Sequence, residues 1–368
     1  MSIRKYIPVI TLIAFIILFQ LITGALGKEY FLTQLTMSAY YSLVAIGLCI
    51  LMGYAGQISI GHAAFFAMGG YTASVLTTFN LLPLSGSAWV QLLMKVGLTT
   101  IRKNPYGMEI LHLTPWISLL IAIAITALVA FLIGIPILRL KGHYLAMATL
   151  GFGSIVYRIV LGSGIFGEAD GISEVPAFNI LPQLSVSGQM SLRVENYYIA
   201  WFVVVLGMVL LLNLINSRVG RALRSIHGSE DAANSMGVNT ARYKLFVFVL
   251  SAVFASVGGV LLTHYNGGIG PSEAGVMKSV RYVAIVAVGG MANLWGALIM
   301  GVTLNFLSLR GYFGSYDDAF FGIMLILIML FAPDGILRKE NINRFYQFLG
   351  VQWKIIQLRL QKQKGDSA

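Results

Sequence analysis

Few side chains in this sequence are placed to do covalent chemistry. The five histidines (His62, His112, His143, His227 and His264) are scattered and Cys49 is alone, so no spacing suits a metal centre or a disulfide. The adjacent acidic pairs are Glu230-Asp231 and Asp317-Asp318, and neither has the spacing of a membrane metal-phosphate enzyme. The pattern GxxxxGK(S/T) is absent, so the chain needs no cofactor of its own and any ATP-Mg must be held by another subunit. Gly162 to Gly167 fits GxGxxG, but it follows an apolar run and precedes an acidic loop. A dinucleotide site needs a strand before it and a helix after it. These absences argue against an enzyme.

What remains is mechanical. In the polar stretch Ser217 to Lys244, Ser229 is a good N-cap and Glu230 and Asp231 suit the positive end of a helix dipole. Ala232 and Ala233 are small helix formers, Met236 is one apolar knob, and Gly237 suits the left-handed position after a helix. The pattern predicts a capped helix of about two turns, too short to be stable alone, so something must pack on it. That something is either the chain's own inner face or a partner. A second constellation is a pair of glycine-broken apolar segments. One runs from Gly53 through Gly56, Gln57, Ser59 and Gly61 to His62, and the other from Gly289 and Gly290 through Asn293 to Gly296. Unwound backbone at membrane depth is tolerated only when buried in protein or lining a watery cavity, and paired broken segments point to a translocation path. Tight turns between closely packed helices are the competing reading.

The elements that must position these residues follow from composition. Of 368 residues, 57% are hydrophobic and 11% charged, with mean hydropathy +0.81. A soluble domain carries about a quarter charged residues. Continuous apolar runs also exclude the alternating strands of an outer-membrane barrel. Runs fall at Ile7 to Gly24, Phe31 to Met52, Ile58 to Phe79, Pro115 to Leu138, Tyr144 to Leu161, Tyr197 to Ile215, Leu245 to Tyr265 and Ala319 to Ala332. Val280 to Leu309 is long enough for two short crossings if it breaks between Gly289 and Gly296. The expected fold is an all-α polytopic membrane protein of about ten segments (8–10), with both termini cytoplasmic. Residues 1–337 are expected to form the transmembrane body and 338–368 a basic amphipathic tail. This threading places 16 basic against 5 acidic residues on the cytoplasmic side, as the positive-inside rule requires.

With those elements in place, Glu230-Asp231-Ala232-Ala233 followed by Gly237 resembles the EAA-type coupling loop of ABC-importer permeases. Its flanks, SRVGRALRSI and GVNTARYKLFVFVLSAVFASVGGVL, are similar to the branched-chain amino acid permeases of the LivM type. So are GYAGQISIGHAAFFAMGGYTASVL, LKGHYLAMATLGFGSIVYRIV and MLFAPDGIL, in the same order. The resemblance implies a second related permease subunit, two ABC ATPase subunits, a soluble substrate-binding protein, and an inner-membrane location. It also implies leucine, isoleucine and valine as cargo, with urea or short-chain amides as the alternative and an ion-coupled carrier as a more distant one. Nothing calls for nucleic acid.

Three charged features complete the reading. Arg158, one turn before Gly162, either snorkels to the interface or serves the interior. Arg218, Arg221 and Arg224 repeat every third residue and either anchor on lipid phosphate or meet acidic groups of an ATPase. In the outer loop, Trp89, Leu92, Leu93, Val96 and Thr100 recur at helical spacing, with Lys95, Arg102 and Lys103 elsewhere, which predicts an amphipathic surface helix.

Overall fold

The structure is a computed structural model that describes residues 6–331 apart from 104–106, 108 and 182–183. The basic tail 338–368 lies outside the described residues. Among the described residues six helices are long and apolar enough to cross a membrane: α1 (Ile7–Ala25), α2 (Tyr30–Cys49, continued by a π-helical turn Ile50–Tyr54), α5 (Pro115–Ile137), α6 (His143–Gly162), α7 (Arg193–Ile215) and α10 (Thr240–Asn266). The chain is a multi-pass helical membrane protein.

Burial separates a central helix from a peripheral one. In α2, 94% of the apolar window is buried, whereas in α1 only 17% is. The buried residues of α1, Val9, Ile16 and Thr23, recur at seven-residue spacing, a single seam that needs one partner. That partner is α7. The Tyr6 hydroxyl donates to Asn213 Oδ1 at 2.7 Å, and the Tyr197 hydroxyl donates to the Ile16 carbonyl at 3.2 Å.

Lipid gives little hydrophobic drive between helices, so close contact depends on small residues. Between α3 (His62–Thr78) and α10, a side chain at Gly259 would overlap the Phe66 carbonyl, and one at Gly69 would meet Ser256. The same Ser256 accepts from Thr126 of α5 at 3.1 Å, tying three helices at one level.

The expected break in Val280 to Leu309 is present: α11 (Val276–Gly289) ends, residues 290–293 turn, and α12 (Leu294–Leu309) begins. The turn sits against the end of α2, where the Tyr54 hydroxyl donates to the Ala292 carbonyl at 2.9 Å. At the other end of α12, Arg310 lies over the rings of Phe31 and Tyr30, which begin α2, at 4.7 and 5.1 Å. The two helices are therefore antiparallel along their full lengths. Beyond α12, α13 (Asp317–Phe331) is pinned to α11 by Arg281, which pairs with Asp317 and Asp318 at 2.8 Å each and donates to Ser308 at 3.1 Å.

The loop between α3 and α5 corrects the helical expectation. Only Ala88–Lys95 is helical (α4), and Thr100, Arg102 and Lys103 lie on strand β1 (Thr99–Lys103), paired antiparallel with β2 (Glu109–Leu113). Gly97 stops the helix at φ +74°, with its N–H on Met94 and that of Leu98 on Leu93, and the β-branched Thr99-Thr100-Ile101 that follow favour a strand. A second small hairpin joins β3 (Phe178–Leu181) to β4 (Leu184–Val186). Arg158 lies exposed on α6 beside Ile155 and Ile159, with no ion-pair partner among the described residues.

Candidate functional site

The polar stretch after α7 folds into two short helices, α8 (Arg218–Gly228) and α9 (Glu230–Ser235). Ser217 caps α8 by accepting from the Val219 N–H at 3.1 Å. Gly220, Leu223 and Ile226, at helical spacing, are its buried face, and Arg218, Arg221 and Arg224 lie exposed on the rest. These arginines belong to this separate helix, since the chain turns at Asn216 and Ser217 on leaving α7. Arg224 also donates to the Ile215 carbonyl at 3.1 Å, closing the corner.

In α9 the capping residues stand as their types require. The Ser229 hydroxyl accepts from the Ala232 N–H at 3.3 Å. At the far end Gly237 adopts φ +80°, its N–H reaches the Asn234 carbonyl at 2.9 Å, and the Val238 N–H reaches Ala233 at 3.0 Å. This is the Schellman closure, which satisfies carbonyls that a helix end leaves orphaned. Ala233 is the one buried residue of α9; Asp231, Ala232 and Met236 are exposed, Met236 to 85%.

The helix is held to the membrane body chiefly through α10, where Asn234 accepts from the Thr240 hydroxyl at 2.9 Å. Glu230 pairs with Lys244 of α10 at 2.7 and 2.8 Å and accepts from the Thr240 hydroxyl at 3.3 Å. The Lys244 side chain is only 8% exposed, so this pair is shielded from water and removing one member would strand the other. Asp231 meets Lys141 at 3.4 Å, but both are well exposed and the pair contributes little. Through Glu230 and Lys244, α9 is fastened to α10.

The first glycine-broken segment opens directly beneath. Gly53 lies in the π turn, where a side chain would overlap the Met291 carbonyl. Gly56 takes φ +67° with His227 of α8 packed over it, so a Cβ there would stand 3.0 Å from Nδ1. Residues 56–61 are non-helical, and α3 begins at His62 rather than at Ile58. Their polar groups are satisfied at a distance. The Ile60 N–H donates to Thr149 at 3.0 Å, and the Ala63 N–H to Ser279 at 3.1 Å. His62, fully buried, bonds Ser59 through Nδ1 at 3.0 Å and Ser251 through Nε2 at 2.9 Å. Gly61 crosses the Thr149 carbonyl too closely to admit a side chain. Gln57 is 2% exposed, and its side-chain amide has no hydrogen-bond partner among the described residues.

The second segment is a compact turn. Gly289 approaches Gly296 backbone to backbone, Gly290 takes φ +95°, and Asn293 caps α12 by accepting from the Gly296 N–H at 3.1 Å. The two segments touch, since Met291 and Ala292 sit on Gly53 and Tyr54. Their meeting brings the candidate path residues and α9 to one end of the bundle.

Comparison with known proteins decides the family. Residues 30–329 match the family model described as branched-chain amino acid transport system / permease component. The chain belongs to this permease family. It is 29% identical over 322 residues to the high-affinity branched-chain amino acid transport system permease protein LivM of Salmonella typhimurium, covering 82% of this chain and 68% of that protein. It is 26% identical over 325 residues to LivH of the same organism, covering 86% and 98%. A partial likeness, 29% over 154 residues, extends to the ribose import permease protein RbsC of Haemophilus influenzae, covering 39% of this chain and 44% of that one. No solved structure matches.

Several residues of this permease escaped the sequence reading. Lys244 and His227 look like loop cations until the fold sets them against Glu230 and Gly56. Thr149, Ser251 and Ser279 are single hydroxyls in apolar runs whose role depends on a segment far away in sequence. A third broken stretch, between α10 and α11, was missed although its glycines (Gly267, Gly268, Gly270, Gly275) could have marked it. There Ile269 bridges Ile172, and Glu273 pairs with Lys278 at 3.0 Å and accepts from the Tyr41 hydroxyl at 3.0 Å. With Arg281, these put three charges on or beside α11.

Proposed function

We propose that the chain is the transmembrane subunit of an ABC importer in the bacterial inner membrane, moving branched-chain amino acids delivered by a soluble binding protein. Separate ATPase subunits hold ATP-Mg and drive it, and a related permease completes the pathway, as the paired names LivM and LivH suggest for the relatives. Urea or short-chain amides are the second cargo reading, which the likeness to permeases alone leaves standing.

The observation that carries the proposal is α9: capped at both ends, exposed on one face, and fastened to α10 by a shielded ion pair. A helix of six residues has no stability of its own to spare, so this one is kept ready for an external groove. ATPase closure would move α9, α9 would move α10 through Glu230 and Lys244, and the segments around Gly56 and Met291 would change which face is open. The neutral groups Gln57, Ser59, His62 and Asn293 would give the cargo a weak passage, with selection left to the binding protein.

The same reading threads ten crossings with both termini cytoplasmic. Antiparallel α12 and α2 support it, as does the placement of the 290–293 turn beside the coupling loop. Cysteines placed singly at Met236 and Gly314 should label from opposite sides of sealed vesicles; labelling from one side would refute the threading. For the function, membrane vesicles supplied with ATP but with proton and sodium gradients collapsed should accumulate leucine, isoleucine and valine. Loss of uptake on collapse would point to a coupled carrier, and uptake of urea alone to the second cargo reading.

A further inference from the structure

Between the unwound segment at Ala55 to Gln57, the α5–α6 turn and the coupling loop lies a cavity of about 170 Å³. Its polar wall is Gln57, Lys141, His227, Glu230 and Lys244, and Leu145 and Ile226, both buried, are apolar lining. We propose that this cavity is a binding site for a small zwitterion with the charge pattern of an α-amino acid, entering from the coupling-loop side.

The first argument is Gln57. Its side chain is 2% exposed, yet neither Oε1 nor Nε2 has a partner among the described residues. A buried polar group left unpaired is costly, so an occupant of the cavity that reaches this amide is favoured when it both donates and accepts. The second argument is charge. Glu230 and Lys244 face the cavity as a pair, but a lysine has three N–H donors and a carboxylate has about four lone-pair sites. Each keeps capacity for a further partner: Lys244 for a carboxylate, Glu230 for an ammonium. Lys141, exposed at the rim, adds a second cation and favours a carboxylate on that side. The third argument is size and polarity of lining. The volume suits several waters or one small amino acid, and water alone would leave Leu145 and Ile226 facing it unprofitably.

An occupant here would touch α8 at His227, α9 at Glu230, α10 at Lys244 and the mouth of the path at Gln57. It would brace the joint through which ATPase closure is transmitted, so accumulated amino acid on that side would slow ATP turnover. This regulatory consequence rests on the coupling role proposed above; the binding itself does not.

The test uses the assembled transporter in lipid nanodiscs, without its external binding protein, and titrates L-leucine by calorimetry. Saturable binding is expected, weakened at least tenfold for 4-methylpentanoate, which lacks the ammonium, and for isoamylamine, which lacks the carboxylate. Gln57→Leu should weaken leucine binding at least tenfold. Lys141→Ala, an exposed change that spares the packing, should weaken it several-fold and serves if the first variant fails to assemble. Absence of saturable binding, binding of either analogue as tight as that of leucine, or wild-type affinity in both variants would overturn the proposal. ATP-driven uptake is measured in parallel on the same purified transporter reconstituted into sealed vesicles together with its binding protein. Uptake without this binding sinks the inference alone, whereas binding without uptake sinks the importer reading alone.

Discussion

The coupling helix and the unwound segment beneath it are both short, both interrupted by glycine, and solved in opposite ways. Residues 229–237 satisfy themselves: Ser229 closes one end, Gly237 and Val238 the other, and one side chain, Ala233, is buried. Residues 55–63 lean on distant elements: His227 of α8 packs on Gly56, Thr149 of α6 accepts from the Ile60 N–H, Ser251 of α10 bonds His62, and Ser279 of α11 accepts from the Ala63 N–H. A self-contained element can be handed to another protein without loosening its own fold. A segment held by four helices can report the movement of any of them.

The contrast is broken most severely at Gly53. A leucine there would drive its Cβ into the Met291 carbonyl, so the buried π turn or the 290–293 turn must shift. Overpacking against backbone costs about 1–3 kcal/mol or more, and here it also splits the contact between two path segments. Gly53→Leu should abolish assembly, read as loss of the monodisperse peak in detergent. A stable, transporting Gly53→Leu would mean that the two segments need not touch.

Next comes the ion pair that links the two regions. Lys244→Met leaves Glu230 partly buried without its cation, and breaking a buried pair costs about 3–5 kcal/mol, less here because Glu230 retains some water. The thermal midpoint should fall clearly, with ATP hydrolysis uncoupled from uptake in what survives. The double variant Glu230→Gln with Lys244→Met should recover part of the stability but not the coupling. Recovery of both would show that the pair only fills space.

These first two effects also mark what sequence alone could and could not deliver. The caps of α9 were legible because Ser, Asp and Gly act on backbone within three or four residues. The glycine break at 289–296 was legible for the same reason. Lys244 was not, because nothing in its neighbours says that the chain will fold back and place Glu230 on it. His227 over Gly56 and Ser279 under Ala63 belong to the same class: their meaning is a long-range contact. Thr100, Arg102 and Lys103 show a local failure, where apolar spacing was read through Gly97 although a left-handed glycine ends a helix.

A smaller effect is expected at Gly237. Its φ of +80° is left-handed, where a β-branched residue is strained by about 1–2 kcal/mol. No atom lies within 4 Å of the added Cβ, so the strain is purely local. Gly237→Val should therefore leave the thermal midpoint of the isolated permease nearly unchanged and weaken co-purification of the ATPase. A variant that co-purifies and transports normally would count against α9 as the coupling element.

The smallest change in stability, and the sharpest test of the contrast, is Met236→Ala. Its side chain is 85% exposed and packs on nothing in its own chain that burial would reveal. Exposed substitutions of this kind stay within about 0.5 kcal/mol, so the permease alone should melt as the wild type does. Exposed apolar side chains that anchor in a partner's pocket are a different matter, since a few such residues carry most of a binding energy. If α9 is seated in an ATPase groove, removing its one apolar knob should lower the affinity of the two subunits about tenfold, measured by binding of purified ATPase to permease in nanodiscs. An unchanged affinity would place the ATPase contact elsewhere, on the exposed arginines of α8.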